Sequence, residues 1–402
     1  MYCVKKIQDD LFWVGGSDRR LALFENAFPI PRGVSYNSYL LLDEKTVLFD
    51  TVDGAILDNF CENIAHVLDG RDLDYVFVHH MEPDHSSSLE RVLRKYPNAK
   101  IVTNAKTVIY IKQFFDFENI DEKIVVVKEG ETFSTGKHNF AFVLAPMVHW
   151  PEVMVSFDTA TGTLFSADAF GTFGAMNGNI FADQVDFEKE WLDDARRYYT
   201  NIVGKYGSPV QKALQKLGGL PISAICSTHG PVWTENIARV IGIYDRLSRY
   251  DADEGVVIAY GSMYGNTEQM AEAIAEELSA QGIKNIVMHN VAKSHPSYII
   301  ADIFRYKGLI IGSPTYSNQI FPEVESLLSK ILVREVKGRY LGYFGSFAWA
   351  GAAVKRMAEF AEKSKFELVG DPVEMKQAMR DITYTQCENL AHAMAERLKK
   401  DR

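Results

Sequence analysis

The segment His79–His85 constrains this chain of 402 residues more than any other part of its sequence. It comes at the end of a strand predicted over Tyr75–His79, and its polar continuation is predicted to be a loop over His80–Ser88. A loop held by a strand end can bring side chains to one point. Ionisable groups crowded into so short a loop repel one another unless a cation lies among them. The segment therefore predicts a metal site with two imidazoles and two carboxylates: His80, Glu82, Asp84 and His85.

Three later residues stand in the same context, because each comes just after an apolar stretch predicted to be a strand. They are His149, Asp168 and His229. Any one of them alone would more often be a cap or a surface residue. The full set of four histidines, two aspartates and one glutamate is too large for one metal and suits two. Asp168 is the candidate bridge, because it stands alone in its segment, whereas His79 is predicted to be structural.

The cysteines narrow the metal chemistry further. The chain has four of them, at Cys3, Cys61, Cys226 and Cys387, and no C-x-x-C pair. This spacing excludes a zinc ribbon, a four-cysteine iron site and a ferredoxin-type cluster, and it argues against a disulfide framework. A metal must then be held by His and carboxylate side chains, and that mixture favours iron or manganese over zinc.

Composition excludes several classes of protein. The 43 Lys and Arg against 53 Asp and Glu give a net charge of −10, which argues against binding to nucleic acid. No apolar run approaches the roughly 20 residues that span a bilayer. The N-terminal segment becomes acidic where a signal peptide would become apolar. The expectation is a cytoplasmic protein with no membrane partner.

Two domains are predicted, over residues 1–250 and 251–402. An amphipathic helix over Glu235–Tyr250 is followed by the polar linker Asp251–Gly255. Before it, strands with interspersed helices predict two sheets with helices outside. After it, strands and helices alternate strictly, which predicts a doubly wound, five-stranded parallel sheet of the flavodoxin-like kind. Its predicted strands are Val256–Tyr260, Asn285–His289, Gly308–Ile311, Tyr340–Phe344 and Glu367–Val369.

Three strand-end loops of the second half predict a nucleotide site. The first reads S-x-x-G-N-T, which resembles the FMN phosphate loop of flavodoxins, although such a loop alone is more typical of a turn and helix cap. The other two add small polar residues and an aromatic each, with Tyr316 and Trp349 as candidate neighbours of the flavin ring. The candidate FMN-binding residues are Ser262, Met263, Tyr264, Gly265, Asn266, Thr267, Ser313, Pro314, Thr315, Tyr316, Asn318, Ser346, Phe347, Ala348, Trp349 and Gly351.

With these motifs together, the chain resembles the flavodiiron proteins, which join a metallo-β-lactamase-like αββα sandwich to a flavodoxin-like domain. Most hydrolases of the first fold carry His where this chain has Glu82, and the carboxylate is similar to the diiron branch. The resemblance extends to segments around Gly33–Leu40, Ala145–Pro151 and Ser227–Gly230. It implies one iron held by His80, Glu82 and His149, a second held by Asp84, His85 and His229, and Asp168 between them.

The resemblance also implies an activity and partners. It implies FMN, two irons per chain, and reduction of O2 to water by four electrons or of two NO to N2O and water by two. It implies a homodimer arranged head to tail, or a dimer of such dimers. With no C-x-x-C pair, no fused rubredoxin module is expected, so electrons come from a separate donor such as a rubredoxin or a reduced deazaflavin. Because rubredoxins are acidic as well, docking requires a local basic patch.

Some points stay open at the level of sequence. Certain family members carry a His beside the diiron pocket, but the matching stretch Leu23–Phe28 has none. Either Tyr198 or Tyr199 is the expected pocket tyrosine, and the preference for O2 or NO is undecided. A metal-dependent hydrolase with an attached flavodoxin-like module is the main alternative, and a non-enzymatic electron carrier is the second. Glu82 and the three flavin loops favour the redox enzyme.

Overall fold

The computed structural model describes residues 2–402 of the chain. Contacts divide the chain into two compact units, and the division falls between Asp245 and Arg246. This point lies inside the helix Ile237–Ser248, shortly before the predicted boundary at residues 250 and 251. That each half is an independent domain stays a prediction. Among the described residues, no helix has both the length and the apolar character needed to cross a membrane.

The first unit contains two sheets. The first sheet has the spatial order Lys5–Lys6, Leu11–Trp13, Tyr39–Leu42, Thr46–Phe49, Tyr75–Phe77, Lys100–Thr103 and Ile124–Val126. The second has the order Thr132–Ser134, Asn139–Leu144, Met154–Asp158, Thr163–Phe165 and Ala224–Cys226. Two short ribbons accompany them, formed by Gly16–Asp18 with Val34–Tyr36 and by Leu23–Phe24 with Phe28–Pro29.

Aromatic rings join the two sheets. Phe49 of the first sheet stacks on Phe165 of the second, with ring centroids 3.7 Å apart. Phe77 meets Phe140 edge to face at 5.2 Å. All four rings are buried, and burial of each stabilises the fold by roughly 1.5–3 kcal/mol. The sheets therefore form the predicted sandwich, and this part of the fold prediction is confirmed.

The helices of the first unit cover the sheets. On the helix Leu57–Leu68, Phe60 and Ile64 lie one turn apart on the buried face, within the same apolar core as strand residues Leu48 and Val76. The other α-helices are Pro83–Ser86, Leu89–Lys95, Ala105–Phe114, Ile120–Lys123, Phe187–Glu190, Leu192–Tyr198, Gly207–Leu217 and Ile237–Ser248. Shorter 3-10 turns occupy Gly54–Ile56 and Ala182–Gln184, and Tyr199–Val203 forms a π-helical turn.

The second unit is a parallel sheet of five strands in succession with two short additional strands, and this confirms the flavodoxin-like fold. Asp253–Tyr260 pairs with Ile286–Asn290 on one side and with Tyr306–Tyr316 on the other. Tyr340–Phe347 follows, and Glu367–Leu368 and Val373–Lys376 both pair with it. The short strand Gln319–Ile320 folds back on the third strand. The helices are Asn266–Ala280, Pro296–Arg305, Pro322–Arg334, Ala353–Ser364 and Asp381–Lys399.

Several local predictions were wrong. The first strand of the second unit begins at Asp253, inside the predicted linker Asp251–Gly255, because Asp253 pairs with Tyr306. The expected loop His80–Ser88 contains the helical turn Pro83–Ser86, which begins with proline at its first position, where the missing N–H costs nothing. In the second unit, the strand predicted over Gly308–Ile311 runs on to Tyr316. Its polar end is held by pairing rather than by burial of apolar side chains, because Pro314 lies opposite Ser346 and Thr315 opposite Ile320.

Candidate metal centre and flavin edge

The metal-site candidates of the first segment come from a strand end and the helical turn after it. His80 and Glu82 follow the strand Tyr75–Phe77, and Glu82 is the residue immediately before the turn. Asp84 and His85 lie on the turn itself. Because this turn follows the strand end directly, its side chains lie near those of His80 and Glu82. The rings of His80 and His85, for example, are 5.9 Å apart.

The remaining three candidates come from the second sheet. His149, Asp168 and His229 follow the strands Asn139–Leu144, Thr163–Phe165 and Ala224–Cys226. These strands run in the same direction, so their ends meet at one edge of the sheet. The backbone near two of these residues is strained, because Met147 and Ala167 have φ angles of 66° and 50°. Such left-handed conformations cost about 1–3 kcal/mol and are concentrated at functional sites.

The seven side chains converge in two groups. The first contains His80, Glu82, His149 and Asp168, and the second contains Asp84, His85 and His229. In the first group, Glu82 Oε2 lies 2.9 Å from His149 Nε2 and 3.3 Å from His80 Nε2. The nitrogen and oxygen atoms of this group are thus close enough together to bind one shared cation.

Asp168 connects the two groups through its two carboxylate oxygens. Oδ2 faces the first group, at 3.2 Å from His149 Nε2 and 3.5 Å from His80 Nε2. Oδ1 faces the second, at 2.8 Å from His85 Nε2 and 3.7 Å from His229 Nε2. Asp84 completes the second group, with Oδ2 lying 3.2 Å from His229 Nε2. This is the arrangement expected of a bridging carboxylate.

The site is a buried concentration of charge. All seven residues are at most 9% exposed. Burial alone would raise the pKa of Asp168, but the neighbouring imidazoles, first His85, hold it well below its usual range. The same balance, with His149 and His80 as partners, lowers the pKa of Glu82. Both carboxylates are therefore ionised and available as ligands.

Other polar groups fix the second group and Asp168 from outside. His229 Nδ1 donates to the carbonyl of Ser35 at 2.7 Å, which leaves Nε2 directed at the site. Thr228 Oγ1 donates to Asp168 Oδ1 at 2.5 Å. His79, predicted to be structural, lies outside both groups and contacts Asp50 and Ser156 instead.

The two candidate tyrosines have different surroundings. Tyr198 is fully buried, its ring lies 5.6 Å from that of His229, and its hydroxyl has no hydrogen-bond partner among the described residues. Burial and then the charge of Asp168 raise the pKa of Tyr198 well above its usual value, so the phenol is neutral. Tyr199 instead packs against Tyr244, with ring centroids 5.0 Å apart. Tyr198 is thus the tyrosine that lies next to the metal-site candidates.

Sequence reasoning missed Glu25. The stretch Leu23–Phe28 forms a tight hairpin, and Glu25 and Asn26 at its tip have φ angles of 51° and 52°. This turn places the Glu25 carboxyl near that of Glu82. Desolvation and then the charge of Glu82 raise the pKa of Glu25 to about 8. No pattern of residue types marks Glu25, because its position depends on the conformation of the turn.

The FMN candidates lie together at one edge of the second unit. The loop Ser262–Thr267 joins the first strand to the helix Asn266–Ala280, and Thr267 Oγ1 lies 2.9 Å from Ser346 Oγ. Ser313, Pro314, Thr315 and Tyr316 lie within the third strand, and Ser346 and Phe347 lie within the fourth. Asn318 forms the turn after the third strand, and Ala348, Trp349 and Gly351 follow the fourth.

Some of these candidate side chains already form hydrogen bonds within the protein, whereas others are exposed to solvent. The Ser313 hydroxyl donates to the carbonyl of Pro314, and the Thr315 hydroxyl accepts from the backbone N–H groups of Ala352 and Ala353. By contrast, Tyr264 and Trp349 are 92% and 85% exposed. Such exposure of large rings at a sheet edge marks a surface suited to an aromatic ligand.

Comparison with known proteins agrees with both halves. Residues 34–230 match the family model described as "ODP family beta lactamase", and residues 258–389 match flavodoxin. An anaerobic nitric oxide reductase flavorubredoxin of Vibrio vulnificus is 33% identical over 370 residues, which are 90% of this chain and 73% of the relative. The flavorubredoxin of Escherichia coli is 31% identical over 367 residues, 90% of this chain and 76% of the relative.

The chain belongs to the flavodiiron protein family. Solved structures of the family match nearly the full length of the chain. Rubredoxin oxygen:oxidoreductase from Desulfovibrio gigas is 32% identical with a TM-score of 0.94, covering 99% of both chains. The flavodiiron protein from Giardia intestinalis is 25% identical with a TM-score of 0.93, covering 99% of this chain and 97% of the other.

Proposed function

We propose that this flavodiiron protein is an oxidoreductase that passes electrons from FMN to two irons and reduces O2 to water, NO to N2O, or both. The observation that carries the proposal is the position of Asp168, whose two oxygens face two separate groups of ligand-type side chains. A hydrolytic enzyme is not favoured by the relatives, whose names are those of oxidoreductases.

The side chains fit two iron ions. Several buried ligand-type atoms have no hydrogen-bond partner among the described residues: both carboxylate oxygens of Asp84, both ring nitrogens of His85, Asp168 Oδ2 and His229 Nε2. Leaving such atoms unpaired costs about 1–3 kcal/mol each, and bound cations would satisfy them. Four imidazoles and three carboxylates, with no thiolate, suit iron.

We propose the ligands in the same two sets that the geometry brings together. His80, Glu82 and His149 would hold one iron, Asp84, His85 and His229 would hold the other, and Asp168 would contribute to both sets. When bound, the irons supply one-electron chemistry and open positions for a small gas molecule.

The surrounding residues position and shield this site. Asp168 is held by the hydroxyl of Thr228 and His229 by the carbonyl of Ser35. The rings of Phe24 and Tyr36 meet the His229 ring at 5.5 and 5.8 Å and exclude water from that side. The neutral Tyr198 hydroxyl, which has no partner among the described residues, is placed to donate a hydrogen bond to a bound substrate.

We propose FMN as the second cofactor, at the edge formed by the three loops of the second unit. The N-terminus of the helix Asn266–Ala280 offers unpaired N–H groups for the phosphate. Ser262 and Thr267 add hydroxyl groups there. Tyr264, Tyr316 and Trp349 are the exposed aromatic residues that could cover the flavin ring.

The deciding experiment is anaerobic stopped-flow spectroscopy. The flavin is first reduced, and the protein is then mixed separately with O2 and with NO. Rapid flavin reoxidation by either gas supports the proposal, and the ratio of the two rates gives the preference. Metal analysis accompanies it: about two irons per chain supports the redox enzyme, two zinc ions with esterase or phosphodiesterase activity would indicate a hydrolase, and absence of metal would indicate an electron carrier.

We also propose a separate electron donor, such as a rubredoxin or a reduced deazaflavin, and a head-to-tail homodimer, on the basis of family resemblance. Mixed oligomers test the second point. Glu82→Ala disables the metal site and Gly265→Val is designed to disable the FMN loop, so each variant alone is expected to be inactive. Recovery of activity in mixed oligomers supports electron transfer between chains, and its absence despite proven mixing contradicts it.

A further inference from the structure

Glu152 is a buried carboxylate that belongs to neither group of metal-ligand candidates. It is 2% exposed, and its Oε1 atom accepts two hydrogen bonds, from His80 Nδ1 at 2.7 Å and from the backbone N–H of Met81 at 3.0 Å. Its own backbone carbonyl accepts a hydrogen bond from the Asn104 side chain at 2.8 Å. Glu152 is thus held firmly behind His80, on the side opposite Glu82 and Asp168.

This contact determines which ring nitrogen of His80 is available. A neutral imidazole carries one proton, and the carboxylate fixes that proton on Nδ1. The lone pair of Nε2 then points to the side where Glu82 Oε2 and Asp168 Oδ2 lie, at 3.3 and 3.5 Å. A carboxylate that accepts from a metal-binding histidine also makes that histidine a stronger electron donor to the metal.

Among residues 2–402, no carboxylate accepts a hydrogen bond from Nδ1 of either histidine of the second group. His229 Nδ1 donates to the uncharged carbonyl of Ser35 at 2.7 Å. His85 Nδ1 has no hydrogen-bond partner among the described residues. The two groups share Asp168, and each has one further ligand carboxylate, Glu82 or Asp84. The negative charge of Glu152 behind His80 is therefore one difference between the two positions, and Glu25 near Glu82 is another.

We propose that Glu152 is a positioning residue that makes the two metal positions unequal. It orients His80, strengthens metal binding at the position formed by His80, Glu82 and His149, and lowers the reduction potential of the iron there relative to the other. The physical reason is that an additional nearby negative charge stabilises Fe3+ more than Fe2+. This inference rests on the proposed diiron function.

The chain supplies a matched control in Asp50. Its Oδ2 atom lies 2.7 Å from His79 Nδ1, and its Oδ1 atom accepts from the His79 backbone N–H at 2.7 Å. Asp50 is 4% exposed, so this is a second buried carboxylate–histidine pair in the same unit. His79 is not among the ligand candidates. Asp50→Asn therefore measures how far metal binding changes when a buried carboxylate charge is removed elsewhere in the unit.

Glu152→Gln removes the charge but keeps an oxygen that can accept both hydrogen bonds. Metal is stripped from the FMN-loaded full chain, and Co2+ is titrated in while its visible absorption is followed. We expect two binding steps in the unchanged protein. In Glu152→Gln we expect one step to weaken by about 10–100-fold while the other stays the same. Asp50→Asn should leave both steps unchanged.

Reduction potentials give a second readout in the iron-loaded protein. An EPR-monitored titration of Glu152→Gln should show one iron potential shifted upward, by 59 mV for each tenfold loss of preference for Fe3+. Unchanged binding and potentials, or an equal effect of Asp50→Asn, would overturn the inference. If Glu152→Gln does not fold, Glu152→Asp retains the charge but withdraws it by one methylene, and native Co2+ binding in that variant would equally overturn it. Failure of the unchanged protein to bind two metals would instead overturn the proposed function.

Discussion

The functional side chains of the metal centre in the first unit are buried, whereas the aromatic side chains at the flavin edge of the second unit are exposed. His80 and His229 are fully buried and Asp168 is 1% exposed, whereas Trp349 is 85% exposed. Buried charges must be compensated, so the metal centre depends on every member of the set. Exposed rings are solvated in the free protein, so the flavin edge can lose one without loss of the fold. The expected effects of mutation follow this difference.

Asp168 should show the largest effect, because it is the residue whose oxygens face both metal positions. We expect Asp168→Ala to lower iron content from two to less than one per chain and to reduce turnover by more than about 100-fold. Mutation of a residue that only hydrogen-bonds to a metal ligand already lowers metal affinity or activity about 10–100-fold, so loss of a ligand itself should cost more. Glu82→Ala should act similarly on the position it shares with His149. Iron analysis and O2 and NO consumption measure both variants.

The control for these variants is the other half of the molecule. FMN content should remain at one per chain, since the second unit is untouched. Full turnover by iron-depleted protein would contradict the ligand assignment. Loss of FMN together with iron would show that FMN binding depends on the metal ligands.

Much of this contrast could be predicted from the sequence. The ligand candidates could be predicted because four of them crowd into one short segment and the others follow apolar stretches. The doubly wound fold of the second unit could be predicted because its apolar strands alternate with helices. Glu25 and Glu152 could not be predicted, because a turn conformation and a contact with His80 give them their positions. A carboxylate three residues after His149 was the available signal for Glu152.

The second prediction concerns His138, a buried histidine of the first unit that lies among carboxylates but outside the metal groups. Its Nδ1 lies 2.7 Å from Asp158 Oδ2 and its Nε2 3.1 Å from Asp10 Oδ2. The hydrogen bond with Asp158 is the main reason that the pKa of His138 is raised to about 9, despite burial. The unfolded value is about 6.5.

This raised pKa stabilises the fold fully below pH 6.5, and the contribution is lost as pH rises to about 9 and above. We expect a loss on the order of 2 kcal/mol in the free energy of unfolding of the first unit. Urea unfolding followed by tryptophan fluorescence measures it, since four of the five tryptophans, all except Trp349, lie in that unit. Asp158→Asn should flatten this pH dependence, and an unchanged slope would contradict the assignment to His138.

The third prediction separates the two neighbouring tyrosines. Tyr198→Phe removes a buried hydroxyl that has no partner among the described residues, so stability should be unchanged or slightly higher. If this hydroxyl donates to bound substrate, turnover should fall about 5–10-fold, the value of one ordinary hydrogen bond of about 1 kcal/mol. Tyr199→Phe is the matched control, because its ring packs against Tyr244, and it should leave turnover unchanged. Equal effects of the two variants on turnover would contradict this distinction.

The smallest effect is expected at the flavin edge. Trp349→Ala removes a ring that contacts mainly solvent in the free protein, so the midpoint of thermal unfolding of the FMN-free protein should not change. If the ring stacks on the flavin, it contributes about 0.5–1.5 kcal/mol, and FMN should bind about 2–12-fold more weakly. Fluorescence titration of the flavin-depleted protein measures this, with Ile382→Ala, another exposed apolar residue of the same unit, as the control. Complete loss of FMN from Trp349→Ala would show that the flavin edge depends on a single side chain as strictly as the metal centre does.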